Sequence, residues 1–343
     1  VKRTSLVIGD TQVAPGSRKT IRLSVPPLYT HAAMSMPVTV IHGRQSGPRL
    51  FVCAAVHGDE LVGVEIIRRL LKLKKLRRLR GTLMAVPVVN VYGFIQQSRY
   101  LPDRRDLNRF FPGSEKGSLT SQLADVFIDE VLSRATHGID LHAGSNHRTN
   151  FPQIRADLRE DETRRLALAF KAPVIIDAET RRKSLRQIAA EKGVPVLLYE
   201  AGEALRLHDV AIRAGVRGVL GVMGALQMLP RSETGRSKIT PIETRRTTWL
   251  RAGSSGLFLS KVPLGARVRE GQVLGQIVDP FGGVEEKIRS TQAGMVIGRL
   301  NLPLVHSGDA IFHLALFDQP TVIEPTISEF REEIDTFDPQ APQ

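Results

Sequence analysis

Arg49-Leu50-Phe51-Val52-Cys53-Ala54-Ala55-Val56-His57-Gly58-Asp59-Glu60 is an apolar run that ends in an imidazole, a glycine and two carboxylates. The short, nearly continuous apolar stretch 49–56 fits a strand buried on both faces of a parallel sheet. The carboxyl ends of such strands are where α/β sheets bind ligands. His57 and Glu60 are three residues apart, on one side of a tight turn leading into a helix, so both can reach one ion. A second run, Gly138-Ile139-Asp140-Leu141, delivers His142 from another strand end. Two imidazoles and one carboxylate are the ligand set of a catalytic zinc ion, which keeps a fourth position open; structural zinc is closed by four ligands, often cysteines. The motif therefore predicts a hydrolase with one zinc ion per chain on His57, Glu60 and His142.

Outward from this motif, apolar strand candidates at 49–56, 83–89, 138–142, 173–177 and 194–200 alternate with helical candidates at 59–79, 119–134, 161–171 and 183–192. That alternation predicts an α/β fold, a mixed sheet with helices on both faces. The Pro- and Gly-punctuated interval 90–118 is long enough to be a functional loop. Residues 1–45 lack helical period and read as an N-terminal β segment; 46–240 form the catalytic domain, and 231–238 are a polar linker. Short β runs separated by Gly turns fill 245–325. There, Gly265 to Ile277 and Ala293 to Ile311 resemble two halves of a hammerhead barrel of the biotinyl/lipoyl type, so a small C-terminal all-β, barrel-like domain is expected. No Met-Lys-Met or Asp-Lys-Ala tip is present, which argues against a swinging cofactor and leaves Lys287 as a surface lysine. The acidic end, 326–343, is expected to be a peripheral, partly disordered tail.

Composition excludes several classes. With 42% hydrophobic and 24% charged residues the 343-residue chain reads as a soluble globular protein, and no apolar stretch reaches bilayer length. The first ten residues meet an acid before a signal-peptide core can form, so a cytoplasmic location is expected. The single cysteine, Cys53, excludes an internal disulfide. The net charge of +13 raises the question of nucleic acid. Much of the excess falls in 68–80, where Leu70, Leu71, Leu73, Leu76 and Leu79 form an apolar stripe among eight Lys or Arg, the pattern of a solvated amphipathic helix. Aromatic residues are only 5% and no nucleic-acid motif occurs, so no specific nucleic-acid or membrane partner is expected.

A zinc hydrolase also needs a carboxylate that handles the proton of water without being captured by the metal. Glu200 ends the apolar run 194–199 and should emerge at the same sheet edge as the histidines; Glu203 is the competitor. In the loop Arg99 to Gly113, Arg109 suits a substrate carboxylate, with the Asn108 amide as an added donor, and Arg99 suits the developing oxyanion. Arg104 and Arg105 read equally as a surface charge pair. Asp59 and Asp140 suit hydrogen bonds behind the metal ligands, or turn and cap chemistry. Asn146, His147 and Arg148 could line the pocket, and no carboxylate partner marks His147 as a second metal site.

Together, His57-Gly58-Asp59-Glu60, Arg99-Tyr100 leading to Asp106-Leu107-Asn108-Arg109, Asp140-Leu141-His142 and Glu200-Ala201-Gly202 resemble the succinylglutamate desuccinylase/aspartoacylase family, relatives of the zinc carboxypeptidases, over most of 45–230. The resemblance implies a carboxypeptidase-like core and zinc on His57, Glu60 and His142. It further implies Glu200 as base, Arg99 as oxyanion stabiliser, Asn108 with Arg109 as carboxylate clamp, and a C-terminal β domain that narrows the entrance. The expected activity is zinc-dependent deacylation of a small anionic N-acyl amino acid. The alternatives are carboxypeptidase-like trimming of a peptide tail and a non-catalytic zinc-containing binding module. The acyl group and amine are not legible, and a homo-oligomer is compatible with an exposed sheet edge.

Overall fold

The computed structural model describes residues 3–230, 232, 234, 237–317 and 323–339. A small hairpin of β1 (Leu6–Ile8) and β2 (Thr11–Val13) precedes β3 (Ser17–Val25) and β4 (Met34–His42), which pair antiparallel. There follow β5 (Arg49–Ala54), α1 (Val62–Leu70), β6 (Thr82–Val86), α2 (Val91–Ile95), α3 (Leu119–Glu130), β7 (His137–Gly144) and β8 (Arg148–Ala156). Next come α4 (Asp161–Phe170), β9 (Val174–Asp177), α5 (Leu185–Glu191), β10 (Val196–Glu203) and α6 (Asp209–Ala225). The remaining elements are β11 (Ile242–Thr244), β12 (Arg246–Arg251), β13 (Gly256–Ser260), β14 (Arg267–Val268), β15 (Val273–Val278), β16 (Val284–Arg289), β17 (Gly294–Leu300), β18 (Leu304–Val305), β19 (Ala310–Leu316) and α7 (Ile323–Thr336).

One 13-stranded mixed sheet organises these elements, its main path running β12-β19-β17-β8-β10-β7-β5-β6-β4-β3. At its centre β10, β7, β5 and β6 are parallel. Leu50, Val52 and Ala54 of β5 enter one core and Phe51 and Cys53 enter the other, which is why this strand is apolar at nearly every position. One core is shared with α1, α4, α6 and α7, the other with α3 and α5 on the opposite face. The mixed α/β fold with helices on both faces follows the sequence expectation.

Four differences are informative. The helix expected over 59–79 stops at Leu70 and a 3₁₀ turn spans Lys74–Arg78. The buried leucines at 70, 73, 76 and 79 recur every three residues, the period of a 3₁₀ helix rather than of an α-helix. Helix α6 and strand β8 had no counterpart among the sequence candidates. In α6, Gly215, Gly218 and Gly221 recur every third residue, which lowers helix propensity but lets Ile66, Phe170 and the Ala169 carbonyl approach within 2.3 Å of where a Cβ would stand. Close packing on α1 and α4 overrides local preference.

The C-terminal strands do not close into a barrel. β17, β19 and β12 extend the main sheet from the edge of β8, while β16-β15-β13-β18 form a separate four-stranded sheet. Phe258, Ile277, Ile311, Phe312 and Leu314 fill a third core with both layers. The reason is the edge of β8 at Arg148–Asn150, beyond the part paired with β9, whose backbone groups are satisfied by antiparallel β17. The acidic end also differs from a peripheral tail through residue 339. α7 packs on α6, with Phe330 fully buried, edge-to-face with Phe151 at 5.7 Å and under the Arg217 guanidinium. Residues 340–343, and residues 231, 233, 235 and 236 of the stretch read as a linker, lie outside the described residues.

Phe330→Ala is expected to lower the urea unfolding free energy by about 3–5 kcal/mol, the usual cost of emptying a buried Phe site. A loss below about 1 kcal/mol would show that α7 does not anchor the fold.

Candidate active site

His57 follows the end of β5, Glu60 precedes α1 and His142 lies near the carboxyl end of β7, the neighbouring parallel strand. All three are buried, and their ligand atoms lie within 4.8 Å of one another. Glu60 spans the pair, with Oε1 2.7 Å from His57 Nδ1 and Oε2 2.9 Å from His142 Nδ1. The two Nδ1 atoms face each other at 3.2 Å. The Nε2 of each ring is held from behind, His57 by Asp106 at 3.1 Å and His142 by Asp140 at 2.8 Å. This carboxylate–imidazole arrangement fixes ring orientation and points Nδ1 inward. Glu60 also accepts hydrogen bonds from the Ala143 amide at 2.9 Å and the Ser145 hydroxyl at 3.0 Å. Burial opposes its ionisation, yet His57 and His142 hold its pKa well below the usual carboxylate range. Two inward imidazole nitrogens and an ionised carboxylate converging on one point fit a divalent ion of the zinc type.

Glu200 stands opposite His142 in the register of β10 on β7, and a register shift follows it. Such a bulge re-aims side chains at a sheet end. It turns Glu200 into the cavity, while Glu203 accepts hydrogen bonds from Thr149 and Asn301 at the β8–β17 joint. Asn150 of β8 donates from Nδ2 to Glu200 Oε2 at 2.7 Å. Burial pushes the Glu200 pKa up, opposed by the Arg155 guanidinium. Arg99 reaches Asp106 at 2.9 Å, hydrogen-bonds Ser145 and sits 3.2 Å from His57 Nδ1.

The cavity of about 610 Å³ contains every residue expected of the site: His57, Glu60, His142, Glu200, Arg99, Asn108 and Arg109. Asn108 is fixed by its Oδ1, which accepts from the Leu185 amide at 2.9 Å, and its carbonyl accepts from Arg109 Nη1 at 2.5 Å. Arg104, Arg105 and His147 do not line the cavity; Arg105 turns to Asp103 and the Phe110 ring. Asp59 does not hold either histidine, since its Oδ1 is buried without a partner and Asp106 takes the place behind His57.

Sequence reasoning missed Asn150, Arg155 and Arg186. Arg155, buried beside Glu200, has an Nε without a hydrogen-bond partner, and burial lowers its pKa. Burial, reinforced by the Arg155 charge, brings Arg186 down to about 10. Alternation along β8 places Asn150 and Arg148 on one face, a signal available only once β8 is known to exist. Thr247, Trp249 and His313, from the C-terminal strands, complete the wall. The His313 pKa is pushed down to about 3 by burial and then by Arg155, and its ring stacks on Trp249 at 4.2 Å. Among the described residues no helix is long and apolar enough to cross a membrane.

The sequence model of the succinylglutamate desuccinylase/aspartoacylase catalytic domain matches residues 46–226. A curated relative, the N-alpha-acetyl-L-2,4-diaminobutyric acid deacetylase of Halomonas elongata, is 27% identical over 300 residues, covering 82% of this chain and 86% of that protein. Among solved structures, the product-bound ectoine utilization protein EutE (DoeB) of Ruegeria pomeroyi aligns with a TM-score of 0.78 and 25% identity, over 88% of this chain and 95% of that one. A succinylglutamate desuccinylase/aspartoacylase from Rhodobacter sphaeroides shares the fold, with a TM-score of 0.76 and 24% identity over 87% of this chain and 95% of that one.

The purified chain is expected to bind one zinc ion by elemental analysis. His142→Ala or Glu60→Ala should reduce occupancy to about a tenth or less, in line with lost metal affinity when the ligand set is incomplete; full occupancy in both variants would refute the ligand set. His313 gives a pH prediction. Between its folded pKa of about 3 and the ordinary value of about 6.5, the unfolded state holds a proton that the folded state lacks. Stability should therefore fall as pH drops through that window, by at most about 1.4 kcal/mol per pH unit from this group. Urea titrations from pH 7 to 4 should show a shallower slope in His313→Phe.

Proposed function

This chain belongs to the succinylglutamate desuccinylase/aspartoacylase family, and from that premise we propose that it is a zinc-dependent amidohydrolase that removes the acyl group from a small N-acyl amino acid. The observation that carries the reading is the convergence of His57, Glu60 and His142 on one point of a cavity that also holds Glu200, Arg99 and Arg109. His57, Glu60 and His142 would hold a zinc ion, which when bound would supply Lewis acidity to water and to an amide carbonyl.

The protein's own groups account for the rest. Glu200 takes the proton from the attacking water as the C–O bond forms, then passes it to the amide nitrogen as the C–N bond breaks, so one carboxylate serves as base and acid. Asn150 occupies Oε2 and so leaves Oε1 for the proton. Burial raises the Glu200 pKa, which improves its capacity to hold that proton between the two steps. Arg99, oriented by Asp106 and Ser145, places positive charge where the carbonyl oxygen gains negative charge. Arg109 and the Asn108 amide, the latter fixed on α5, orient the substrate carboxylate.

The Halomonas relative is named for an N-acetylated amino acid whose side chain is an amine. Arg155 and Arg186 in the cavity wall here disfavour a cationic side chain and favour a neutral or anionic one.

Glu200→Gln should keep its zinc and lose about 10²–10⁴-fold in kcat, the usual contribution of a positioned general acid–base group. The test is a panel of N-acetyl, N-succinyl and N-formyl amino acids, assayed before and after chelation with metal content read on the same sample. Chelator-sensitive release of an acyl group is the expected outcome. Absence of turnover across the panel by the zinc-loaded protein would overturn the reading.

A further inference from the structure

Beyond the metal and the carboxylate clamp, the cavity has a far wall built by strands that lie outside the family-matched segment. Trp249 of β12 faces His313 of β19 directly across the sheet, and the two rings stack with an interplanar angle of 2° at 4.2 Å. His313 in turn faces Gly298 of β17, and Gly298 faces Asn150 of β8. Residues directly opposite across neighbouring strands share one face of a sheet. One row therefore runs Asn150, Gly298, His313, Trp249, starting at the residue that holds Glu200. The missing side chain at Gly298 keeps the row open: a Cβ there would stand 3.1 Å from His313 and 3.2 Å from the Asn150 amide oxygen.

Arg148 lies two residues from Asn150 on the same face of β8 and extends over this row. Its guanidinium carbon is 5.4 Å from the centre of the Trp249 ring, and Nε donates to the Ala310 carbonyl at 3.4 Å. The layers Arg148, Trp249 and His313 fix the guanidinium, while among the described residues no carboxylate pairs with it and its terminal nitrogens donate no hydrogen bond. Arg99, by contrast, is bonded to Asp106 and Ser145. A planar cation on an aromatic backing, open to the cavity and lacking an internal counter-ion, is arranged for two parallel hydrogen bonds to a carboxylate.

We propose that Arg148, held over Trp249, is a distal anion subsite that takes a second carboxylate carried on a tail several bonds from the scissile amide. The substrate then lies along the Asn150–Trp249 row, its reacting end at Glu200 and its tail at Arg148. Neighbouring strands lie about 4.8 Å apart, and Trp249 stands three strands from Asn150 along the row, so the subsite is beyond the reach of a carboxylate directly attached to the amide unit and selects for tail length. This inference rests on the deacylase reading for the reaction, but its binding test does not.

Trp249 is the chain's only tryptophan, so its emission reports on this wall alone. The zinc-loaded protein is titrated with acetate, malonate, succinate, glutarate and adipate. The expected result is one preferred dicarboxylate length that perturbs the emission and binds at least about tenfold tighter than acetate. That preference should disappear in Arg148→Met and weaken in Arg148→Lys, which keeps the charge but not the planar fork; thermal melts establish that both variants fold. Equal responses to acetate and to every dicarboxylate, or an unchanged length preference in Arg148→Met, would overturn the subsite. Matched N-acyl substrates, with the tail carboxylate on the acyl group or on the amino-acid side chain, then show by kcat/KM which part of the substrate reaches Arg148. A length preference without any turnover would retain the subsite and overturn the proposed reaction; turnover without the preference would do the reverse.

Discussion

The Glu60 carboxylate is the constraint around which the structure is arranged. A fully buried carboxylate costs several kcal/mol unless its charge and lone pairs are met, and here two imidazoles, a backbone amide and a serine hydroxyl meet them. Those partners come from the turn after β5 and from the end of β7 and the turn beyond it. The charge pairing therefore draws together two strand ends more than eighty residues apart in the chain. Parallel pairing of β5 with β7 makes this possible, because it brings both carboxyl ends to the same side of the sheet. Asp106 and Asp140 extend the cluster outward, so His57, Glu60 and His142, their supports and Arg99 form one connected polar network inside an apolar sheet.

Strand β8 is the second organising element. It pairs with β10 on one side and with β17 and then β9 on the other, and so lies between the proposed base and the C-terminal strands. Its Asn150 holds Glu200, its Arg155 opposes the burial of that carboxylate, and its Arg148 crosses towards Trp249. Because the C-terminal strands extend the catalytic sheet, Trp249 and His313 sit in the cavity wall in direct register with the residue that orients Glu200. The proposed base and the proposed distal subsite thereby share one sheet, a scaffold that favours precise placement of both ends of a substrate.

The legible parts of the protein share a physical origin. His57 with Glu60, and His142 after its apolar run, were readable because three-residue spacing and a strand end are local geometry. Glu200 was readable for the same reason, and the buried central strands announced themselves by composition. Less legible was whatever local preference contradicts: α6 is helical despite its glycines because Ile66 and Phe170 need the space they leave. The leucines after Leu70 follow a three-residue period that a search for α-helical stripes reads as one longer helix. Asp59 looked as suitable as Asp140 for supporting a ligand, yet the support of His57 comes from Asp106, 49 residues away.

By itself the sequence determined the α/β core, the three candidate metal ligands and the loop that supplies Arg99, Asn108 and Arg109, since each depends on periodicity or on neighbours in the chain. Only the tertiary structure decided that Asn150 hydrogen-bonds Glu200, that Arg155 and Arg186 line the cavity, and that the C-terminal strands extend the sheet rather than closing a barrel. Those outcomes depend on inter-strand register, which is set by the summed packing of two sheet faces and by the edge of β8 at Arg148–Asn150, and no local stretch of residues encodes that sum.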